Sequence, residues 1–142
     1  MRFMILRKAD QQTEASVMPS EELLGAMGKY MEEMAKAGVL LAGEGLQPSA
    51  KGARVKFSGG KPTVTDGPFA EAKEIIAGFS MIEVQSKEEA IEWCKRWPAL
   101  DGDGEVELEI RQVFEAEDFG PEFTPEMREA EERLRAELAQ KR

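Results

Sequence analysis

Histidine is absent from the 142 residues, and cysteine occurs once. The first absence removes the commonest zinc ligand and the commonest general base at neutral pH, so most zinc sites and every histidine-based triad are excluded. The second excludes an internal disulfide. Long apolar runs are lacking as well: nothing approaches the ~20 residues that span a bilayer. The N-terminal apolar segment, Phe3 to Leu6, is closed by Arg7 and Lys8 before it reaches the ~7 residues of a secretory h-region. A cytoplasmic protein without membrane contact is expected. Positive charge is also scarce, with 19 Lys and Arg against 28 Asp and Glu and a net charge of -9. Such a surface cannot release counterions from a phosphate backbone, so no direct binding of nucleic acid is expected.

What is present is a globular balance, 42% hydrophobic against 33% charged, in a chain long enough for one sizeable core. The expected division is a domain over residues 1–116 and a charged tail over 117–142. Residues 2–7 read as a strand apolar on both faces. Ser20 caps a helix over Glu21 to Ala37, with Glu21 and Glu22 at its positive end and Gly38 closing it. Leu23, Met27, Tyr30, Met31 and Met34 recur at helical spacing and read as core. Val39 to Leu46 reads as a second strand. Glu74 to Val84 follows as a long strand, and Ser86 with Glu89 opens a helix that Pro98 stops. Glu105 to Phe114 alternates as a final strand. Thr124-Pro125 starts a tail helix with a narrow stripe of Met127, Ala130, Leu134 and Leu138.

Between the second and third of these strands, Ala53 to Phe57 and Pro62 to Asp66 form a hairpin around Gly59-Gly60. A two-residue turn pairs Val55 with Val64, Phe57 with Pro62 and Ala53 with Asp66, which sets Asp66 on the apolar face at its rim. Asp66 opens the stretch Asp66-Gly67-Pro68-Phe69. Its carboxylate either serves as a general base or ligand anchor, or bonds the backbone of its own turn. Lys73 and Arg111 are the cations expected near it, as ligand contacts or as surface charges. Glu44, between Gly43 and Gly45, marks a ligand approach or a bulge. Strand, helix, strand, hairpin, strand, helix, strand describes two βαβ halves: a ferredoxin-like α+β sandwich whose two helices cover one sheet face. A second copy is expected on the other.

The run Thr65 to Glu74, with Ala77-Gly78-Phe79, Glu83-Val84, Glu89-Ala90, Glu92-Trp93 and Glu109-Ile110-Arg111, resembles the YCII-related proteins of the DGPF type over about Met1 to Glu115. That resemblance implies a dimeric α+β barrel, bacterial and cytosolic, in which two ferredoxin-like sheets meet face to face. It also implies an association with extracytoplasmic-function sigma factors. Some members of the wider superfamily use a histidine and aspartate pair, which cannot be carried over to a chain without histidine. The expected function is a cofactor-free homodimer that binds a small molecule between the sheets through Asp66, Lys73, Arg111 and Glu44. The alternatives are an isomerase, lyase or hydrolase in which Asp66 moves a proton on a small acidic or aromatic compound, and an accessory protein that docks a sigma factor through the tail helix.

Overall fold

Alternating apolar positions make the N-terminal segment a strand, and the computed structural model, which describes residues 1–141, pairs it on both edges. The chain runs β1 (Arg2–Lys8), α1 (Gln11–Glu14), α2 (Glu21–Lys36), β2 (Leu40–Gly45), β3 (Ala53–Ser58), β4 (Lys61–Asp66), β5 (Ile76–Glu83), α3 (Lys87–Lys95), β6 (Leu108–Gln112) and α4 (Pro125–Gln140). Four strands form one antiparallel sheet in the order β2-β5-β1-β6. With the β3–β4 hairpin set aside, that is the ferredoxin-like order, each βαβ half leaving room for one strand of the other. The contacts separate the chain into two units, Met1–Gln112 and the segment from Val113 onward. No helix among the described residues is long and apolar enough to cross a membrane.

The period of two sorts each strand between two faces. Phe3, Ile5 and Arg7 of β1 and Gly78, Ser80 and Ile82 of β5 are buried, while Met4, Leu6, Phe79 and Met81 between them are only half-buried. The buried set lies under the helices: Phe3, Ile5 and Ile82 form one core with Tyr30, Met34 and Ala90. Met34 and Ile82 are fully enclosed, and each such side chain contributes about 1.5–3 kcal/mol of burial energy. Tyr30 donates its hydroxyl to the carbonyl of Trp93 at 2.6 Å and meets the Trp97 ring edge-on at 5.6 Å, tying α2 to the end of α3. The other face carries two cross-strand rows, Glu44–Phe79–Leu6–Glu109 and Ala42–Met81–Met4–Arg111.

Several boundaries differ from the sequence expectation for local reasons. The polar stretch after β1 contains α1, because Asp10 and Thr13 cap it reciprocally. β5 begins at Ile76, since Ala72–Glu74 closes a 3-10 turn first. β6 is confined to Leu108–Gln112: Gly102, Asp103 and Gly104 have positive φ, and the chain reaches the sheet only after that turn. The irregularity in β2 falls between Leu40 and Ala42, two residues before Glu44. The hairpin register agrees pair for pair with the expectation, Ala53 opposite Asp66 and Phe57 opposite Pro62. Its residues are nevertheless all exposed, including Val55, Phe57 and Val64.

In the second unit Phe119 stacks on Phe114 at 5.1 Å and lies 5.3 Å from Phe123. Arg128 reaches Glu117 at 2.7 Å, and Thr124 caps α4, whose Met127, Leu134 and Leu138 are exposed.

Candidate ligand cavity

A cavity of about 720 Å³ opens on the helix-covered side of the first unit. Its walls come from α1, the loop after it, the first turns of α2, the ends of β2 and β5, and the turn at Leu100 to Asp103. Chain geometry explains why polar groups gather there. Arg7 and Ser80 occupy inward positions of β1 and β5, each the next residue on its inner row after Ile5 or before Ile82.

Arg7, 7% exposed, is held by a set of fitted acceptors. Its Nε and Nη2 donate to Oδ2 and Oδ1 of Asp101 at 3.1 and 2.7 Å. Its Nη1 donates to the Lys8 carbonyl at 2.9 Å and to Asp10 at 3.2 Å. Trp97 completes the cluster by donating Nε1 to Asp101 at 2.8 Å. Burial alone opposes the charge on Arg7, but hydrogen bonds and the charge of Asp101, then Asp10, outweigh it and raise its pKa. Burial likewise disfavours ionised Asp10, yet the Thr13 amide and the Arg7 guanidinium together hold its carboxyl below the usual range. Two carboxylates therefore answer one guanidinium.

Ser80 differs from its neighbours. It is 2% exposed, it lines the cavity, and its hydroxyl has no hydrogen-bond partner among the described residues. A buried hydroxyl costs about 1–3 kcal/mol if nothing bonds it, so a water or a ligand that reaches it is favoured there. Beside it, the Met31 methyl occupies the space where a Cβ on Gly43 would sit, and that Cβ would lie 3.5 Å from the Cβ of Ser80. The glycine thus leaves a slot for an unbranched thioether, a side chain that changes rotamer readily. Met31 and the Ser80 side chain thus both border the space beside Gly43.

The sequence-derived candidates are dispersed. Glu44 lies at the edge of the cavity, but its strand position turns its side chain to the other sheet face beside Phe79. Asp66 ends β4 on the exposed hairpin, Lys73 is exposed in the 3-10 turn before β5, and Arg111 is exposed on β6, 3.3 Å from Glu109; none of these three lines the cavity. Arg7, Asp10, Ser80 and Asp101 were not singled out from the sequence. The legible signal was a polar residue at an inward position of an apolar strand, Arg7 after Phe3 and Ile5 and Ser80 before Ile82. Asp101 could not be joined to Arg7 without the tertiary structure.

The Asp66–Phe69 stretch has a structural task of its own. The Gly67-Pro68 bond is cis, and Gly67 donates its amide to the Gly52 carbonyl at 3.0 Å. Phe69 donates its amide to Ser49 Oγ at 3.0 Å, and its ring lies 3.8 Å under the Arg54 guanidinium. Ser49 in turn donates its amide to Glu14 at 2.9 Å and its hydroxyl to the other oxygen of the same carboxylate. One buried serine therefore joins α1, the loop after β2 and the turn after β4. A Cβ on Gly67 would fall on the Ser49 carbonyl oxygen and within 2.6 Å of its carbon. Close backbone approach, at a φ outside the left-handed region, is what requires glycine there.

Fold and site together define a ferredoxin-like α+β protein with a pocket between sheet and helices and a second sheet face that is half-buried. The model of the YCII-related domain matches residues 1–117, and the chain belongs to that family. An uncharacterised protein from Rhizobium meliloti is 36% identical over 74 residues, 52% of this chain and 56% of that protein. The match thus spans little more than half the length of that relative. Among solved structures, 5-chloro-2-hydroxyhydroquinone dehydrochlorinase from Burkholderia phenoliruptrix, in complex with 2,5-dihydroxybenzoquinone, is similar with a TM-score of 0.46 and 15% identity, over 84% of this chain and 100% of that one.

Proposed function

We propose that this chain binds a small molecule in the Arg7–Ser80 cavity, where the ligand supplies the missing partner of the Ser80 hydroxyl. The unpartnered Ser80 is the observation that carries the reading: a hydroxyl kept unsatisfied at the wall of a cavity gains a bond only when something enters. Binding is better supported than turnover. Asp10 is held ionised by Arg7 and Thr13, and burial pushes the Cys94 thiol up to about 11, so neither is poised to exchange a proton near neutrality. The test compares wild type with Ser80→Ala in a thermal-shift ligand screen. Without ligand, the variant is expected to be as stable as wild type or about 1 kcal/mol more stable, because the unpaired group is gone. Ligand-induced shifts are expected to shrink. A hit whose shift is the same in both proteins would dismiss the serine from the site.

The second copy belongs to the same reading. Met4, Leu6, Phe79 and Met81 make the second sheet face apolar and leave it half-exposed, and an isologous pair is the commonest cover for such a face. In that arrangement Arg111 and Glu44 flank the shared layer, while Asp66 and Lys73 contact ligand or partner from the hairpin side. Light scattering at micromolar concentration is expected to give twice the chain mass, and the substitution Met81→Glu to halve it. A wild-type mass of one chain would end the dimer reading and leave the cavity untouched.

A further inference from the structure

We infer that the cavity takes an organic amine with an apolar body and a hydrogen-bonding group at its far end, and that it rejects carboxylates. The inference deepens the cavity reading and rests on it. Among the described residues Arg7 is the single cation lining the space, and four of its five N–H donors are already engaged. Asp101 cancels its charge in a two-bond pair, and Asp10 adds a second carboxylate to the same guanidinium. One further acid, Asp103, borders the opening, and its carboxylate has no ion pair among the described residues. The field at the mouth is therefore negative although the cavity contains an arginine.

Depth separates the two kinds of recognition. Asp103 is exposed at the rim, where an ammonium keeps part of its hydration while meeting an opposite charge. Met27, Met31 and Trp97 supply polarizable and aromatic surface for a body of modest size. Ser80, at the inner wall, is the only one of these groups that is both buried and unpartnered, and its hydroxyl can donate to or accept from a polar atom at the ligand's other end. A carboxylate ligand would face like charge at the entrance and an arginine whose partners are already in place.

Tyramine, 3-(4-hydroxyphenyl)propanoate and 2-(4-hydroxyphenyl)ethanol share a body and a distal hydroxyl and differ in the charge of the other end, so they separate these terms by calorimetric titration of the full chain. Tyramine is expected to bind about tenfold more tightly than the carboxylate. Asp103→Asn keeps a residue that tolerates the left-handed backbone at φ 52. It is expected to weaken tyramine about fivefold and leave the neutral alcohol unchanged. Ser80→Ala should weaken tyramine and the alcohol alike, and Glu88→Gln, an exposed charge on α3, should alter neither. If the carboxylate binds as well as tyramine while Ser80→Ala still weakens both, the charge inference fails and the cavity reading stands. Equal losses from Asp103→Asn and Glu88→Gln would also overturn it, by making the effect one of net charge. If no probe binds, or none responds to Ser80→Ala, the cavity reading fails and this inference with it.

Discussion

Arg7→Met is expected to remove about 3–5 kcal/mol of stability from the first unit, the usual consequence of deleting one partner of a buried charge pair. The size follows from what is left behind: Asp101 would keep Trp97 as its one side-chain donor, in a place where both it and Arg7 are buried. Asp101→Asn should cost less, because the amide oxygen still accepts from Trp97, and the double variant should cost less than the sum of the singles, with a coupling of roughly 2 kcal/mol. Chemical denaturation measures all three. The acid limb supplies an independent sign. The folded pKa of Asp10 is depressed, so its contribution is present above the ordinary carboxylate range and is lost as pH falls through the lower, folded value. Arg7→Met removes one cause of that depression and should flatten the limb. Additive losses from the two single substitutions would mean that the pair is not a unit.

Gly67→Ala is expected to cost about 3 kcal/mol and to lower the melting temperature by roughly 10 °C. The neighbour that an added methyl meets is backbone, the Ser49 carbonyl, so no rotamer change can relieve the collision. Moving Ser49 would loosen its bonds to Glu14 and to the Phe69 amide together, and α1, one wall of the cavity, is attached through that carboxylate. Gly45→Ala is the matched control, since a Cβ there meets nothing within 4 Å; it should change stability by less than about 1 kcal/mol. Equal effects at the two glycines would refute the close-approach account of the Asp66–Phe69 stretch.

The Gly67 result bears on how such a stretch is read. From the sequence, Asp66 drew attention as an acid beside a rigid corner, and the hairpin register that orients it was legible because Gly59-Gly60 sets the pairing. The register did not say what the hairpin packs against. The residue with the more exacting environment is Gly67, and the reason is Ser49, which approaches from a loop eighteen positions away in a direction no local pattern encodes. Lys73 and Arg111 show the same limit: Arg111 was placed on the right strand and Lys73 only after the Asp66–Phe69 stretch, and neither comes to the cavity.

By itself the sequence determined the ferredoxin-like order of elements, the start of α2 at Ser20, the hairpin register and the core stripe of Tyr30 and Met34, because periodicity, capping and turn chemistry act between residues close in the chain. It also excluded histidine chemistry and an internal disulfide outright. Only the tertiary structure decided which polar residues meet. Arg7 and Asp101 are separated by 94 positions, Ser49 stands between Glu14 and Phe69, and Ser80 has no hydrogen-bond partner among the described residues. The energy of a buried charge or hydroxyl depends on the groups that surround it in space, and those are fixed when sheet and helices close on one another.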